Sequence, residues 1–135
     1  MANIIELVDS LLPQNKVDIF YLELPEGKSG MLIEETGVSG SITSFKGYDG
    51  VISSTIQFYI RVDKKSGNYQ NFDILIKDFY RLVQSKMGYE KDNIKLLYVG
   101  EFTYTPNQRD EKGNYIFSLL FPVIYKENKE WFKWY

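Results

Sequence analysis

The sequence contains neither cysteine nor histidine. Without cysteine there are no disulfides, no thiolate nucleophiles and no sulfur-ligated metals. Without histidine there is no Ser-His or Cys-His relay, no imidazole metal ligand, and no side chain whose unperturbed pKa lies in the physiological range. We therefore expect no metal, no cofactor and no catalytic centre of these kinds.

A dominant positive charge and a long apolar run are missing as well. The formal net charge is −2 and the isoelectric point is near 5.2, whereas proteins that grip phosphate backbones normally present a strong basic field. The first residues, MANIIELVDSLLP, have no basic leader, and Glu6 and Asp9 interrupt their apolar positions. We expect no direct nucleic-acid recognition, no signal peptide, no membrane span, and residence in the cytosol.

What the chain does contain is enough apolar material for one core. It has 135 residues, of which 44% are hydrophobic, 25% charged and 16% aromatic, a composition typical of a globular domain. The sequence predicts an α+β fold, with a mostly antiparallel β-sheet and two α-helices packed on one face. We assign residues 1–125 to a single α+β domain and residues 126–135 to an aromatic C-terminal tail.

The start of the chain predicts a short helix and a hairpin. Asn3 and Glu6 resemble a capping box, and apolar residues at helical spacing follow until Pro13. Two segments rich in strand formers, residues 17–24 and 31–35, are separated by the turn PEGKSG, which favours an antiparallel pair.

The middle of the chain predicts a loop followed by a long strand. Residues 36–50 carry four glycines and few large apolar residues, which is typical of a mobile loop, with room for a short strand at residues 42–45. Residues 51–62 include TIQFYIRV, whose apolar side chains occupy every second position. This alternation predicts a half-buried strand.

The second half predicts a long amphipathic helix and a closing hairpin. The helix is marked by an apolar stripe, with Asn68 or Asn71 as its cap and Gly88 at its end; the stripe consists of Phe72, Leu75, Ile76, Phe79, Leu82, Val83 and Met87. Residues 93–105 and 115–125 form the hairpin. Gly100 indicates a bulge, and Pro122 indicates an edge strand or a kink.

Neither glycines nor carboxylates form a recognisable catalytic motif. The segment GVSGSITSFKG lacks both glycine-rich phosphate-binding patterns, so a plain surface loop, or one that orders on meeting a partner, is favoured over a nucleotide site. Two acids on one face would suit a glycosidase; the candidates are Asp18, Glu23, Glu34, Glu35 and Glu101. Solvated strand positions explain them better, which leaves a carboxylate-based hydrolase as the weaker alternative.

Exposed aromatic residues leave two further hypotheses open. The tail contains Trp131, Phe132, Trp134 and Tyr135, which either fold back on the sheet or dock on a neighbouring subunit. A stacking platform for a carbohydrate-type ligand is the other hypothesis, built from Tyr59, Tyr98, Tyr104 and Trp131. The unusual length of three predicted strands favours contact with another chain, because a long exposed edge invites pairing.

The order of these elements resembles that of the small minor capsid and tail terminator proteins of long-tailed bacteriophages. The resemblance covers residues 3–125 and is carried by GYDGVISSTIQFYIRVDKK and the helix NYQNFDILIKDFYRLVQSKM between two hairpins. It implies a non-enzymatic virion protein, assembled in the host cytoplasm, that closes a hexameric ring on the end of the tail tube. Its implied partners are other copies of itself, the tail tube and the head-connector proteins.

The resemblance carries over no catalytic residue. By analogy, we place subunit contacts on the closing hairpin, on the loop of residues 36–50 and on the tail. The candidate subunit-interface residues are Tyr48, Asp49, Tyr59, Arg61, Tyr104, Arg109, Tyr115, Trp131, Phe132, Trp134 and Tyr135.

Overall fold

The computed structural model describes residues 3–13, 17–20, 29–42, 49–65 and 69–128. Within these ranges the protein has the expected α+β fold, with two helices and seven strands in one sheet. The elements are α1 Ile4–Ser10, β1 Ile19–Phe20, β2 Gly30–Ile42, β3 Asp49–Val62, α2 Tyr69–Gln84, β4 Glu90–Lys91, β5 Ile94–Val99, β6 Thr103–Arg109 and β7 Tyr115–Asn128.

Three long strands form the centre of the sheet. The strand order is β1-β2-β3-β7-β5-β4, and β6 also pairs with β7. β2 has 13 residues, and β3 and β7 have 14 each, more than twice the length of an average strand. β3 and β7 pair over their whole length, from Asp49 opposite Asn128 to Val62 opposite Tyr115.

The alternating pattern of β3 produces the hydrophobic core. Ile56, Phe58 and Ile60 are fully buried, and Phe58 lies opposite Leu119 of β7. The rings of Phe58 and Phe121 meet edge to face, with centroids 5.2 Å apart. Because side chains alternate between faces, the same strand presents Gln57, Tyr59 and Arg61 on the opposite side of the sheet, called here the outer face.

Both helices pack on the core face. Asn3 caps α1 as predicted, since its Oδ1 accepts a hydrogen bond from the backbone N–H of Glu6 at 2.9 Å. Leu7 of α1 and Phe79 of α2 belong to the same buried cluster as the inward side chains of the strands. The stripe predicted for α2 is confirmed at its centre, whereas Leu82 is exposed.

Three details of the caps and turns refine the prediction for α2. Asn71 lies inside the helix, so it is not the cap, and Asn68 lies outside the described residues. The helix ends at Gln84, and Gly88 follows a turn later with a φ of +93°. Only glycine adopts that left-handed conformation at little cost, which explains its place at the end of the helical segment.

The first hairpin prediction is wrong. β1 pairs with β2 in parallel, with Ile19 opposite Met31 and Phe20 opposite Leu32. An alternating apolar pattern gives the side-chain faces of a strand but not the direction of its partner. Part of the predicted strand of residues 17–24 lies outside the described residues.

The predicted glycine-rich loop is largely strand where the structure describes it. β2 continues to Ile42 and β3 begins at Asp49, so residues 36–42 and 49–50 pair in the sheet. The register shifts between Thr36 and Ser39, where Gly37 has a φ of +60°. Gly37 therefore lies in a β-bulge, which bends a strand and increases its twist without ending it.

The closing hairpin is interrupted at Gly100, between β5 and β6, whereas the β-bulge predicted at this glycine lies between Leu96 and Tyr98. β6 pairs with the first half of β7 and β5 with its second half. Of the two alternatives predicted from Pro122, the edge strand is wrong, because β3 pairs with the other side of β7, and the kink stays a prediction. Pro122 is tolerated in this central strand because its missing N–H faces the gap between β5 and β6, where Gly100 donates to the Pro122 carbonyl at 2.8 Å.

The last strand runs beyond the expected domain boundary. β7 continues to Asn128, three residues past position 125. The predicted tail is therefore strand at residues 126–128, and the rest of it lies outside the described residues.

Candidate interaction surfaces

One border of the sheet is formed by β2. The short strand β1 pairs with Met31 and Leu32 only. From residue 33 to residue 42, this side of β2 has no strand partner among the residues that the structure describes. Such an edge presents unpaired backbone donors and acceptors to the surroundings.

The opposite border is formed by β6, by β5 and by the two-residue strand β4. β4 covers β5 at Ile94 and Lys95. β6 pairs with β7 on one side and, in the described part of the chain, with no strand on the other. Its register shifts between Thr105 and Gln108, and Pro106 in this interval lacks an N–H.

Exposed apolar side chains mark both borders. Val38 on β2 is 56% exposed, and Phe102, between β5 and β6, is 43% exposed. Leu97 and Tyr98 of β5 are also exposed. In a protein of this size such residues are unremarkable singly, but their position beside unpaired strand edges is typical of an interaction surface.

Residues of the two borders can be compared by their height, meaning their position along the strand direction. Following the register across the sheet, Glu34 lies opposite Gln57, Gln57 opposite Leu120, and Leu120 opposite Thr103. Glu34 and Thr103 therefore occupy the same height and the same outer face at opposite borders. Ser39, next to Val38, aligns in the same way with Tyr98.

The turn between β6 and β7 is held in one conformation by a single carboxylate. Asp110 Oδ1 accepts hydrogen bonds at 2.9 Å from the backbone N–H groups of Lys112 and Asn114, and Oδ2 accepts one from Asn114 Nδ2. Hydrogen bonds from Asn114 to the charged form, together with the nearby guanidinium of Arg61, lower the pKa of Asp110. The positive φ of Gly113, +85°, completes the turn.

This turn is also joined to the end of β3. The backbone N–H of Lys64 donates to Asn114 Oδ1 at 3.0 Å, and Lys64 Nζ donates to the Lys112 carbonyl at 3.0 Å. Nearby, the Arg109 guanidinium lies 4.2 Å from the centre of the Tyr115 ring, a cation–π contact. The turn between β6 and β7 is therefore tied to the end of β3, and charged side chains of both signs surround it.

Tyr59 and Arg61 lie on the outer face at the same end. Both side chains are half-buried. Burial raises the pKa of Tyr59, and the charge of Arg61 partly opposes the shift. The two residues are thus neighbours, as the alternation in TIQFYIRV predicts.

Tyr104 lies on the other face of the sheet. It is paired with Leu119, whose side chain is in the core, and its hydroxyl donates to Asp73 Oδ1 of α2. Lys77 completes the cluster, with Nζ 3.6 Å from Asp73 Oδ2 and 4.8 Å from the centre of the Tyr104 ring. Burial and the bond to Asp73 raise the pKa of Tyr104. This residue anchors α2 to β6.

The structure therefore brings only part of the predicted interface together. Arg61, Arg109 and Tyr115 lie at one end of the sheet, but Arg61 is on the outer face, whereas Arg109 and Tyr115 are in line with the buried Val62 on the other face. Tyr104 also faces the helix side. The backbone of Asp49 pairs with Asn128 at the far end of β3. The other predicted residues, Tyr48, Trp131, Phe132, Trp134 and Tyr135, lie outside the described residues.

Sequence reasoning missed the border residues Val38 and Phe102. Val38 is the one large apolar side chain in the run TGVSGS, and Phe102 follows the glycine that separates β5 from β6. An apolar residue inside a glycine- and serine-rich stretch was the available signal. This signal indicates an interface residue only when the stretch is known to form an edge strand.

The geometry offers little to the two other hypotheses. Tyr59 and Tyr104 occupy opposite faces of the sheet, so they do not share a stacking platform. Glu34 and Glu35 also point to opposite faces. Among the described residues there is no cluster of three acidic side chains suited to a metal ion.

An open groove of about 510 Å³ runs along α2 beside Pro13. Its lining is mainly apolar, and its charged residues include Asp78, which pairs with Arg81 at 3.0 Å. Among the described residues, the lining contains no second carboxylate to act with Asp78 as an acid and nucleophile pair.

Neither α1 nor α2, the two helices of the described ranges, has the length and apolarity that a membrane crossing requires. No protein-family model and no curated protein sequence matches this chain.

Proposed function

We propose that this protein is a structural protein that assembles with copies of itself, in the manner of a phage tail terminator or head-tail completion protein. The observation that carries the proposal is that, among the described residues, the sheet has two different incompletely paired borders, β2 and β6, separated by the two 14-residue strands β3 and β7. Contacts between two unlike patches join copies head to tail, and they close a ring when the rotation between copies allows it.

The rest of the described surface agrees with this role. The turn between β6 and β7 is held by hydrogen bonds between Asp110 and Asn114, and a well-defined turn at the end of the sheet suits contact with another ring. The proposed partners are other copies of the chain, the tail tube and the head-connector proteins. The proposed location is the virion, after assembly in the host cytoplasm.

Light scattering over a range of protein concentrations tests self-association. We expect the mass to rise from that of the 15.8 kDa monomer to that of a discrete oligomer, and electron microscopy to show rings. Tail tubes polymerised with the protein present should be capped and shorter than tubes polymerised alone. A protein that stays monomeric at every concentration and leaves tube length unchanged contradicts the proposal.

A truncated chain separates the tail from the sheet borders. The cut belongs after Asn128, because an earlier cut would remove part of β7. If the borders carry assembly, the truncated protein retains the mass of the full-length oligomer. If the tail carries it, the truncated protein is monomeric while its circular dichroism is unchanged.

A further inference from the structure

The directions of the strands decide how two copies of this sheet can join. β2, β3, β7 and β6 are each antiparallel to the next, so β2 and β6 run in opposite directions within one chain. A second copy placed beside the first without being inverted therefore brings its β6 antiparallel to the β2 of the first. No rearrangement of either chain is needed for a continuous antiparallel sheet.

We propose that the partner of the β2 edge, which is unpaired at residues 33–42 within the described part of the chain, is the β6 border of a second copy, with Glu34 near Thr103 of that copy and Val38 against its Tyr98. This inference rests on the proposed function and names the surfaces that it uses. If the copies are related by rotation about an axis parallel to the strands, residues at the same height on neighbouring copies come into contact. The apolar residues of both borders then cover one another.

Charge also favours this pairing. β2 has the sequence GMLIEETGVSGSI, with two acids and no cation, and β6 has the sequence TYTPNQR, with one cation and no acid. A β2-to-β2 pair would instead bring acids together. Like charges brought together across an interface disfavour the wrong partner, and β6 brings no acid to the β2 edge.

The bulges limit how far the pairing extends. Gly37 interrupts β2 after Thr36, and Pro106 interrupts β6 after Thr105. The regular edges are therefore residues 33–36 and 103–105, long enough to fix a register but too short for open-ended aggregation.

The absence of cysteine allows a direct test by disulfide cross-linking. Two single variants, Glu34→Cys and Thr103→Cys, are mixed under mild oxidation, since residues opposite each other in paired strands are at disulfide distance. We expect a mixed dimer of the two variants, or of Thr36→Cys with Thr103→Cys if the strands are staggered by two residues. The double variant Glu34→Cys/Thr103→Cys should give a ladder of oligomers.

Ile74→Cys is the matched control, because Ile74 is 59% exposed on α2 and belongs to neither strand edge. It should not cross-link with Thr103→Cys. A homodimer of Glu34→Cys would show a two-fold β2-to-β2 contact and overturn the inference. So would the lack of any mixed dimer from variants whose circular dichroism matches that of the parent.

A second pair of variants measures the apolar contact. Val38→Lys should weaken self-association by about tenfold, because it places a charge where an apolar contact is expected. Ile74→Lys, which likewise replaces an exposed apolar side chain with lysine but on α2, should leave self-association unaltered. Equal effects of the two substitutions would contradict the assigned contact.

The outcomes separate this inference from the proposed function. If the protein caps tail tubes but no border variant cross-links, the inference is wrong and the function stands. If the mixed dimer forms but tubes grow as they do without the protein, the inference stands and the function is wrong.

Discussion

The hydroxyl of Tyr125 donates a hydrogen bond of 2.5 Å to Oε2 of Glu35. Tyr125 belongs to β7 and Glu35 to β2, so the bond spans β3, which lies between them in the sheet. Tyr125 is only 3% exposed, on the core face. Burial, and then the bond to Glu35, raises the pKa of the Tyr125 hydroxyl. This contact holds β2 against the core beside the bulge at Gly37.

Tyr125→Phe should lower the free energy of unfolding by about 1 to 2 kcal/mol, because a half-buried carboxylate loses a donor. Urea denaturation followed by circular dichroism measures the change. Tyr98→Phe is the matched control, since Tyr98 is exposed on the neighbouring strand. Equal effects of the two substitutions would show that the bond to Glu35 contributes nothing.

Stability should fall as the pH rises above about 10, the usual tyrosine pKa. Burial raises the pKa values of Tyr59, Tyr80, Tyr104 and Tyr125. Above pH ~10 the unfolded chain releases protons that the folded chain retains, so the folded state loses stability with each further step in pH. The urea midpoint as a function of pH tests this.

The double variant Tyr104→Phe/Tyr125→Phe provides the control for the alkaline effect. It removes the two most strongly shifted hydroxyls, so its midpoint should depend less steeply on pH above ~10. A slope equal to that of the parent protein would assign the alkaline loss to other groups.

Gly100→Ala should destabilise the protein by about 1 to 3 kcal/mol, as overpacking does. A Cβ at this position would lie 2.5 Å from Cγ of Pro122 and 3.2 Å from Cε2 of Tyr98. The same substitution in a Pro122→Ala background should cost less, since the clashing ring atoms are gone. Urea denaturation of the four proteins gives the coupling, and a value near zero would contradict the close approach.

Asp110→Ala should loosen the turn between β6 and β7. The carboxylate accepts hydrogen bonds from two backbone N–H groups, those of Lys112 and Asn114. Hydrogen exchange of these two amides should become faster, while that of Phe58 in the centre of the sheet should not.

The contribution of Asp110 should also disappear in acid. Its pKa is lowered in the folded protein, so its stabilising effect is present above the usual aspartate value of about 4 and is lost as the pH falls through the folded value. The parent and Asp110→Ala should therefore converge in stability at low pH. A difference that persists there would assign the effect to a group other than this carboxylate.

The parts of the fold that the sequence predicts are those that depend on neighbouring residues. The cap at Asn3 and the faces of β3 follow from local capping and from the side-chain period. The parallel partner of β1 and the central place of β7 do not, because pairing joins segments far apart in the chain. The edge position predicted from Pro122 is wrong for the same reason, because the gap that accommodates Pro122 is formed by β5 and β6.

The candidate surfaces were predictable to a smaller degree. Alternation places Tyr59 and Arg61 on one face, and the structure agrees. The analogy assigns Tyr104 to the interface, yet its hydroxyl donates to Asp73 of α2. Val38 was overlooked because glycine and serine around a bulge resemble a loop.

The pairing of β3 with β7 has a consequence for how the chain folds. Every bond of that ladder closes a loop that contains α2, β4, β5 and β6. Contacts between such distant segments slow folding, to times on the order of milliseconds to seconds for sheets of this kind. A newly made chain exposes its strand edges during that interval, so the order in which the central strands close helps to decide between productive assembly and aggregation.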